Sequence, residues 1–283
     1  AMSCSLVQRG ALPLLPEAVR TRSALTCGAD LVFALPAPCA CAGAEAFARA
    51  GVALLAAAGC DGLVFGAETP DAALLMEAAE LLDSDSYRAA LKAQLAGGAR
   101  SFAAARQAAA AQLASDERVA ALLDKPNNNL AVEYCRAIRS LAPRMEAYPL
   151  PRQGANHGEA LHSAHGQFAS ASALRKLWAE GGADAVAPYV PEAVFPLYQE
   201  AYAAGQYTDF SAAGRCELAL LRARCTGETP FANVRGVSEG LEHRLEKAVR
   251  TSTTLDELLN TLTTIRYPRA RMRRLAMDAA LGY

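Results

Sequence analysis

The chain has 283 residues, 28 Lys and Arg against 29 Asp and Glu, and a formal net charge of -1. Near-neutrality excludes bulk charge as the means of steering it to a polyanion or a membrane surface. No run of about 18 uncharged apolar residues occurs, so no transmembrane span is expected. With 6% aromatic residues, base-stacking platforms are poorly provided for. The 52% apolar content owes much to alanine, which favours helix but buries little area, so the Leu, Val and Phe runs must supply the core.

In chain order, residues 17–27 read as a helix stopped by Gly28. Residues 30–35 form a short continuous apolar run closed by Pro36, the pattern of a strand buried on both faces. A helix over residues 42–58 ends at Gly59, and residues 62–66 repeat the apolar-run pattern, so that strand, helix and strand fit one βαβ unit. A helix-rich insert runs over residues 72–123, broken at residues 83–86 and at Gly97-Gly98. Pro126-Asn127-Asn128 introduces another helix reaching Leu141, and residues 145–150 read as a third strand. The polar stretch 151–167 is assigned to a loop, and residues 170–180 to a helix with a serine-rich entry. Beyond residue 184 every periodic segment is helical: 191–204, 211–224, 241–249, 255–263 and 269–281. This switch divides the chain into an α/β domain at 1–184 and an all-α domain at 185–283.

The eight cysteines include no Cys-x-x-Cys pair, and no secretory signal precedes them. Reduced, mostly buried thiols in a cytoplasmic protein are therefore expected. His157, Glu159, His162 and His165 crowd nine residues, but their uneven spacing in a loop is a poor metal cage, and no metal site is assigned.

Open α/β sheets bind ligands beyond the carboxyl ends of their strands. Gly66 follows a strand directly, so a ligand can approach its backbone with no Cβ in the way. Asn127 and Asn128 open a helix, offering side-chain amides and free backbone N–H groups to a purine edge or a phosphate oxygen. Arg152 follows the strand ending at Leu150. Ser170, Ser172 and Arg175 lie in the first turns of a helix and suit phosphates. Taken singly, capping, turn and solvation roles account for each; their convergence on one sheet rim is the stronger signal.

Longer strings carry a specific resemblance. Ser5-Leu6-Val7-Gln8-Arg9-Gly10, Gly28-Ala29-Asp30-Leu31-Val32-Phe33-Ala34-Leu35-Pro36, Ala44-Glu45-Ala46-Phe47-Ala48 and Phe65-Gly66-Ala67-Glu68 resemble elements of the bacterial tRNA(Met) cytidine acetate ligase family. In the same order follow Pro126-Asn127-Asn128-Asn129-Leu130, the stretch 169–176, the stretch 236–244 and Arg266-Tyr267-Pro268-Arg269-Ala270-Arg271. The resemblance implies a Rossmann-like, nucleotidyltransferase-like parallel sheet followed by a helical domain. It implies ATP, with Mg2+, and acetate giving acetyl-adenylate, whose acetyl group passes to N4 of the wobble cytidine of elongator tRNA(Met). By the same resemblance Gly66, Asn127 and Arg152 would contact ATP, with Asn128, Ser172 and Arg175 nearby, and His157 would lie near the nucleotide. Arg266, Arg269, Arg271, Arg273 and Arg274 would meet the tRNA backbone, although a solvated basic helix face accounts for them equally well.

The chain departs from the family in starting after the opening strand, loop and helix with their His-x-Gly-His signature, so the first strand of the sheet is expected to be missing. Pro16-Glu17-Ala18 also replaces the family's Asp-Lys-aromatic, reversing a charge, and the family generally continues beyond Tyr283. These departures leave catalysis by this chain open, and no catalytic residue is assigned. A catalytically silent nucleotide- or RNA-binding module, or an adenylyltransferase for another small substrate, are the alternatives.

Overall fold

The computed structural model describes residues 1–99, 101–152 and 169–283. The cluster His157, Glu159, His162 and His165, and residues 153–167 of the loop assigned to 151–167, lie outside the described residues; of that loop, Pro151 instead ends the last strand.

Two parallel strand pairs anchor the first half. The strand β1 (Met2–Ser3) pairs with β2 (Ala34–Leu35), and α1 (Glu17–Thr26) connects them. The strand β3 (Gly62–Ala67) pairs in parallel with β4 (Glu146–Pro151), Gly62 opposite Glu146 and Ala67 opposite Pro151. Between β2 and β3 lie α2 (Ala37–Ala40) and α3 (Ala44–Ala57). Between β3 and β4 run α4 (Ala72–Asp83), α5 (Asp85–Ala96), α6 (Phe102–Leu113), α7 (Glu117–Leu122) and α8 (Pro126–Leu141). This is the helix-rich α/β architecture expected, with small parallel sheets.

Two local expectations fail. Residues 30–35 are not a fully buried strand: only Ala34 and Leu35 pair, and Leu31 is 75% exposed. The run is apolar, but the two-residue β1 is its paired neighbour, so most of it lacks a ladder. Nor do β2 and β3 form one βαβ unit, because they belong to separate sheets.

On β3 the alternation is clear. Leu63, Phe65 and Ala67 face a core shared with α3, α4 and α8, while Val64 and Gly66 lie on the open face with Tyr148 and Leu150 of β4. Leu75, Val132 and Ile138 are fully or almost fully buried in that core. The helix starts behave as their sequences dictate: Asp71, Ser84, Ser101 and Asp116 each accept a backbone N–H within the first turn that follows.

The second half comprises α9 (Ala171–Gly181), a 3-10 turn (Asp184–Tyr189), α10 (Phe195–Ala203), α11 (Phe210–Arg224), α12 (Leu241–Thr251), α13 (Leu255–Leu262) and α14 (Arg269–Leu281). Leu221, Leu241, Leu245, Leu258, Leu262 and Met272 centre the core of α11–α14. A separate cluster joins Trp178 of α9 to Leu15, Val19, Val186 and Ala201. A capping box at Thr254 and Glu257 starts α13.

The first and last segments of the chain are bolted together. Arg235 donates to both carboxylate oxygens of the buried Asp278, at 3.0 and 2.8 Å, and to the carbonyls of Pro38 and Cys41. Met277 packs on Leu6 and Cys41. Gly10, at φ +73°, lies so close to α14 that a Cβ there would sit 2.7 Å from the Arg274 nitrogen. Among the cysteines, Cys41 and Cys135 are buried, whereas Cys27, Cys60 and Cys216 are exposed, so the thiols are less uniformly interior than expected.

Candidate functional site

Parallel pairing brings the carboxyl ends of β3 and β4 to a single rim. Gly66 stands opposite Leu150, and the Arg152 N–H donates to the Ala67 carbonyl at 3.0 Å, one step past the strand. The first turn of α8 meets the same rim through Glu68 and Thr69. The Glu68 carboxylate accepts from the Asn127 backbone N–H (3.1 Å), from Asn127 Nδ2 (2.6 Å) and from the Asn128 backbone N–H (2.6 Å). Asn128 is fully buried; its Oδ1 accepts from the Thr69 N–H (2.9 Å) and its Nδ2 donates to Thr69 Oγ1 (3.1 Å). Asn127 Oδ1 in turn accepts from Arg152 Nη1 at 3.1 Å.

This network alters the chemistry expected at the α8 start. The backbone N–H groups of Asn127 and Asn128 are not free for an anion; Glu68 occupies both. The positive end of the helix dipole is thereby matched by a carboxylate of the chain itself. Burial pulls the Glu68 carboxyl upward, but the hydrogen bonds from the Asn127 side chain, the Asn127 backbone and the Asn128 backbone outweigh it and hold Glu68 below the usual range. Arg152 and the backbone at Gly66 remain exposed at this rim. A Cβ at Gly66 would lie 3.5 Å from Arg152 Cγ, an ordinary contact, so the fold itself tolerates one there.

Gly66, Asn127, Asn128 and Arg152 are therefore brought together as the sequence suggests. Ser172 and Arg175 have different described partners. Ser170 caps α9, accepting from the Ala173 N–H at 3.3 Å, and its hydroxyl lies 3.0 Å from that of Ser172. The Arg175 guanidinium stands 6.0 Å from the Phe210 ring centroid, and burial followed by the like charge of Arg9 lowers its pKa. Neither described contact belongs to the β3–β4 rim.

The C-terminal arginines divide into two groups. Arg266 and Arg269 are exposed, paired respectively with Glu239 (2.6 Å) and Asp256 (2.6 Å). Arg271 stands 5.0 Å from the centroid of the Tyr267 ring, which Arg244 and Arg266 also approach. Arg273 and Arg274 turn toward the body: Arg273 reaches Glu217 at 3.4 Å, and Arg274 donates to the Gln8 carbonyl at 3.4 Å. Arg266 thus precedes α14, and of the four arginines on α14 itself, Arg273 and Arg274 are engaged with the body of the chain.

Sequence reasoning missed two acidic residues. Glu68 was visible as the last letter of Phe65-Gly66-Ala67-Glu68, but nothing in that string shows that its carboxylate would reach a helix start some sixty residues away. Glu217 sits in a row with the buried Leu218 and Leu221, where its side chain is only 6% exposed. Its Oε1 has no hydrogen-bond partner among the described residues, and burial, partly offset by Arg273, pushes its carboxyl up to about 7. Glu217 borders a cleft of 1330 Å³ that α11, α13 and α14 form with Leu6 and Leu12, but its unpaired oxygen is sealed from that space.

Comparison with known proteins places this arrangement. The family model described as HIGH Nucleotidyl Transferase matches residues 1–283. A tRNA(Met) cytidine acetate ligase of Caldanaerobacter subterraneus subsp. tengcongensis is 32% identical over 287 residues, covering 99% of this chain and 69% of its own length. One from Syntrophotalea carbinolica is 34% identical over 278 residues, covering 98% of this chain and 65% of its own length. The crystal structure of Thermotoga maritima TmcAL bound with alpha-thio ATP is similar with a TM-score of 0.87 and 27% identity, over 99% of this chain and 66% of that one. The apo form of the same protein gives 0.89 and 29%, over 98% and 66%. The chain thus spans about two thirds of the length of these relatives. It belongs to the HIGH nucleotidyl transferase family, among the tRNA(Met) cytidine acetate ligases.

Proposed function

We propose that this chain is the nucleotide-binding body of an ATP-dependent acetate ligase that acts on tRNA(Met). The observation that carries this reading is the rim itself: Gly66 without a Cβ, and an exposed Arg152 steadied by Asn127 and Glu68, at the carboxyl ends of two parallel strands. That is where an open α/β sheet holds its ligand, and the Thermotoga relative is described with an ATP analogue bound.

In this reading an acetate oxygen attacks the α-phosphorus of ATP, forming acetyl-adenylate and releasing pyrophosphate. The N4 amine of the wobble cytidine of elongator tRNA(Met) then attacks the acetyl carbonyl carbon, loses a proton, and AMP departs. Arg152 supplies fixed positive charge to the phosphates, which Mg2+ would accompany into the site. Most of the rate then comes from positioning and electrostatics, with no covalent protein intermediate. Arg266, Arg269 and Arg271 are the arginines best placed to meet tRNA phosphates. No helix among the described residues is long and apolar enough to cross a membrane. The likeness to tRNA(Met) cytidine acetate ligases is what supports work on tRNA in the cytoplasm.

The test is ATP–pyrophosphate exchange with and without acetate. Acetate-dependent exchange, reduced at least tenfold by Arg152→Ala, supports the ligase. Nucleotide binding without exchange under any acid supports a silent nucleotide- or RNA-binding module, and exchange driven only by another acid supports an adenylyltransferase of different substrate.

A further inference from the structure

We infer that Glu68 is a positioning residue for nucleotide phosphates, acting on Arg152 through the side-chain amide of Asn127; this rests on the reading that the β3–β4 rim holds a nucleotide. Glu68 stands in a conflict with the site it borders. A carboxylate beside a site for a polyanion raises the Coulombic cost of binding. It also takes the two α8 backbone N–H groups that would otherwise receive a phosphate. Such a residue must contribute something that offsets both effects.

The hydrogen-bond order shows what it contributes. A primary amide has a donor end and an acceptor end, and nothing intrinsic decides which faces a given neighbour. Glu68 can only accept, and at 2.6 Å it captures Asn127 Nδ2. Oδ1 is thereby turned toward Arg152, whose Nη1 donates to it at 3.1 Å. With the amide reversed, an NH2 group would face the guanidinium and repel it. Glu68 thus sets the polarity of the amide, and the amide holds the guanidinium by one of its nitrogens. Among the described residues the Nε and Nη2 donors take no partner, so they are left to an oxyanion in a fork whose direction is already fixed.

Arg152 gains from this restraint because it is exposed and follows the end of a strand, where its long side chain would otherwise sample many rotamers. Its stem already passes beside Gly66, with Cγ 3.5 Å from where a Cβ would lie. Fixing the guanidinium completes the orientation before any ligand arrives, which lowers the entropy lost on binding. Thr69 and Asn128 serve the same end, since their two mutual hydrogen bonds hold the Glu68 backbone against α8.

The experiment is a double-mutant cycle on the full chain. Glu68→Gln, Arg152→Ala and the double variant are compared with the wild type by calorimetric titration with ATP, inorganic triphosphate and adenosine, and each is checked by thermal unfolding without ligand. Expected is a weakening of about tenfold for ATP and triphosphate in Glu68→Gln, no change for adenosine, and a double variant no weaker than Arg152→Ala alone. If Glu68→Gln does not fold, Asn127→Ala takes its place, because it cuts the link to Arg152 and leaves both backbone N–H bonds to Glu68 intact. Additive losses in the double variant, or an equal loss for adenosine, would overturn the relay while leaving the nucleotide site standing. Failure of the folded wild type to bind either ATP or triphosphate would overturn the nucleotide site, and the relay with it.

Discussion

Glutamine at position 217 separates the cost of a buried carboxylate from everything else in the helical half. The Glu217 side chain is 6% exposed, with one oxygen 3.4 Å from Arg273 and the other unpaired. Desolvation by burial is the larger influence and the Arg273 charge the smaller, so the carboxyl moves from its ordinary 4.5 up to about 7. The folded state therefore keeps a proton that the unfolded chain releases near pH 4.5. Stability is full below that pH, falls as pH rises toward about 7, and is level above it. At about 1.4 kcal/mol per pH unit, the loss across the window is about 3 kcal/mol. Glu217→Gln carries no titrating group, so the difference between wild type and variant isolates this loss, whatever constant offset the amide introduces. Urea unfolding followed by helical circular dichroism at pH 4, 5, 6, 7 and 8 measures it. The wild type should lose about 3 kcal/mol relative to the variant between pH 4 and pH 8. Parallel stability curves would refute the claim that a desolvated carboxyl sits in α11.

Removal of the Asn128 amide in Asn128→Ala breaks two hydrogen bonds in a fully buried setting. A loss of about 2–4 kcal/mol in chemical denaturation is expected. Arg235→Ala strands the buried Asp278 carboxylate and should cost about 3–5 kcal/mol. Asp278→Asn in the same background should recover part of that loss, which unfolding of the single and double variants would show. Glu68 is held below the usual carboxylate range, so its contribution is present above pH 4.5 and is lost as pH falls through its lowered value. Glu68→Gln should therefore flatten the acid limb of the stability profile. If tRNA phosphates meet the outward arginines, the double variant Arg266→Ala and Arg269→Ala should lower the slope of log binding constant against log salt by about 2, as filter binding would measure.

The parts of the fold most legible in the sequence were those governed by local pattern. The periodic apolar positions of α11–α14 and the breaks at 83–86 and Gly97-Gly98 in the α4–α7 insert are properties of short windows, and they read directly. The run at 30–35 misled because composition reports the capacity to be buried, whereas Leu31 is exposed for want of a neighbour. Gly66, Asn127 and Arg152 could be placed on one rim from sequence because strand ends and helix starts mark the rim in any open parallel sheet. Glu68 could not be assigned its task from sequence, since pairing between Glu68 and Asn127 depends on how α8 docks against β3. For the same reason Arg273 and Arg274 looked like their outward neighbours: one-dimensional spacing does not say which side of α14 meets residues 5–12.

The clasp of Arg235 and α14 on residues 38–41 imposes an order of events on biosynthesis. Some 230 residues separate Cys41 from the helix whose Met277 and Asp278 complete its surroundings. At about 5–20 residues per second, the opening stretch must wait roughly 10–50 seconds on the ribosome before its partner emerges. Throughout that interval Cys41 and Leu6 have Leu12 and Ala37 beside them but lack the cover of Met277. Premature release before position 277 would leave an apolar seam that no later-made helix could close.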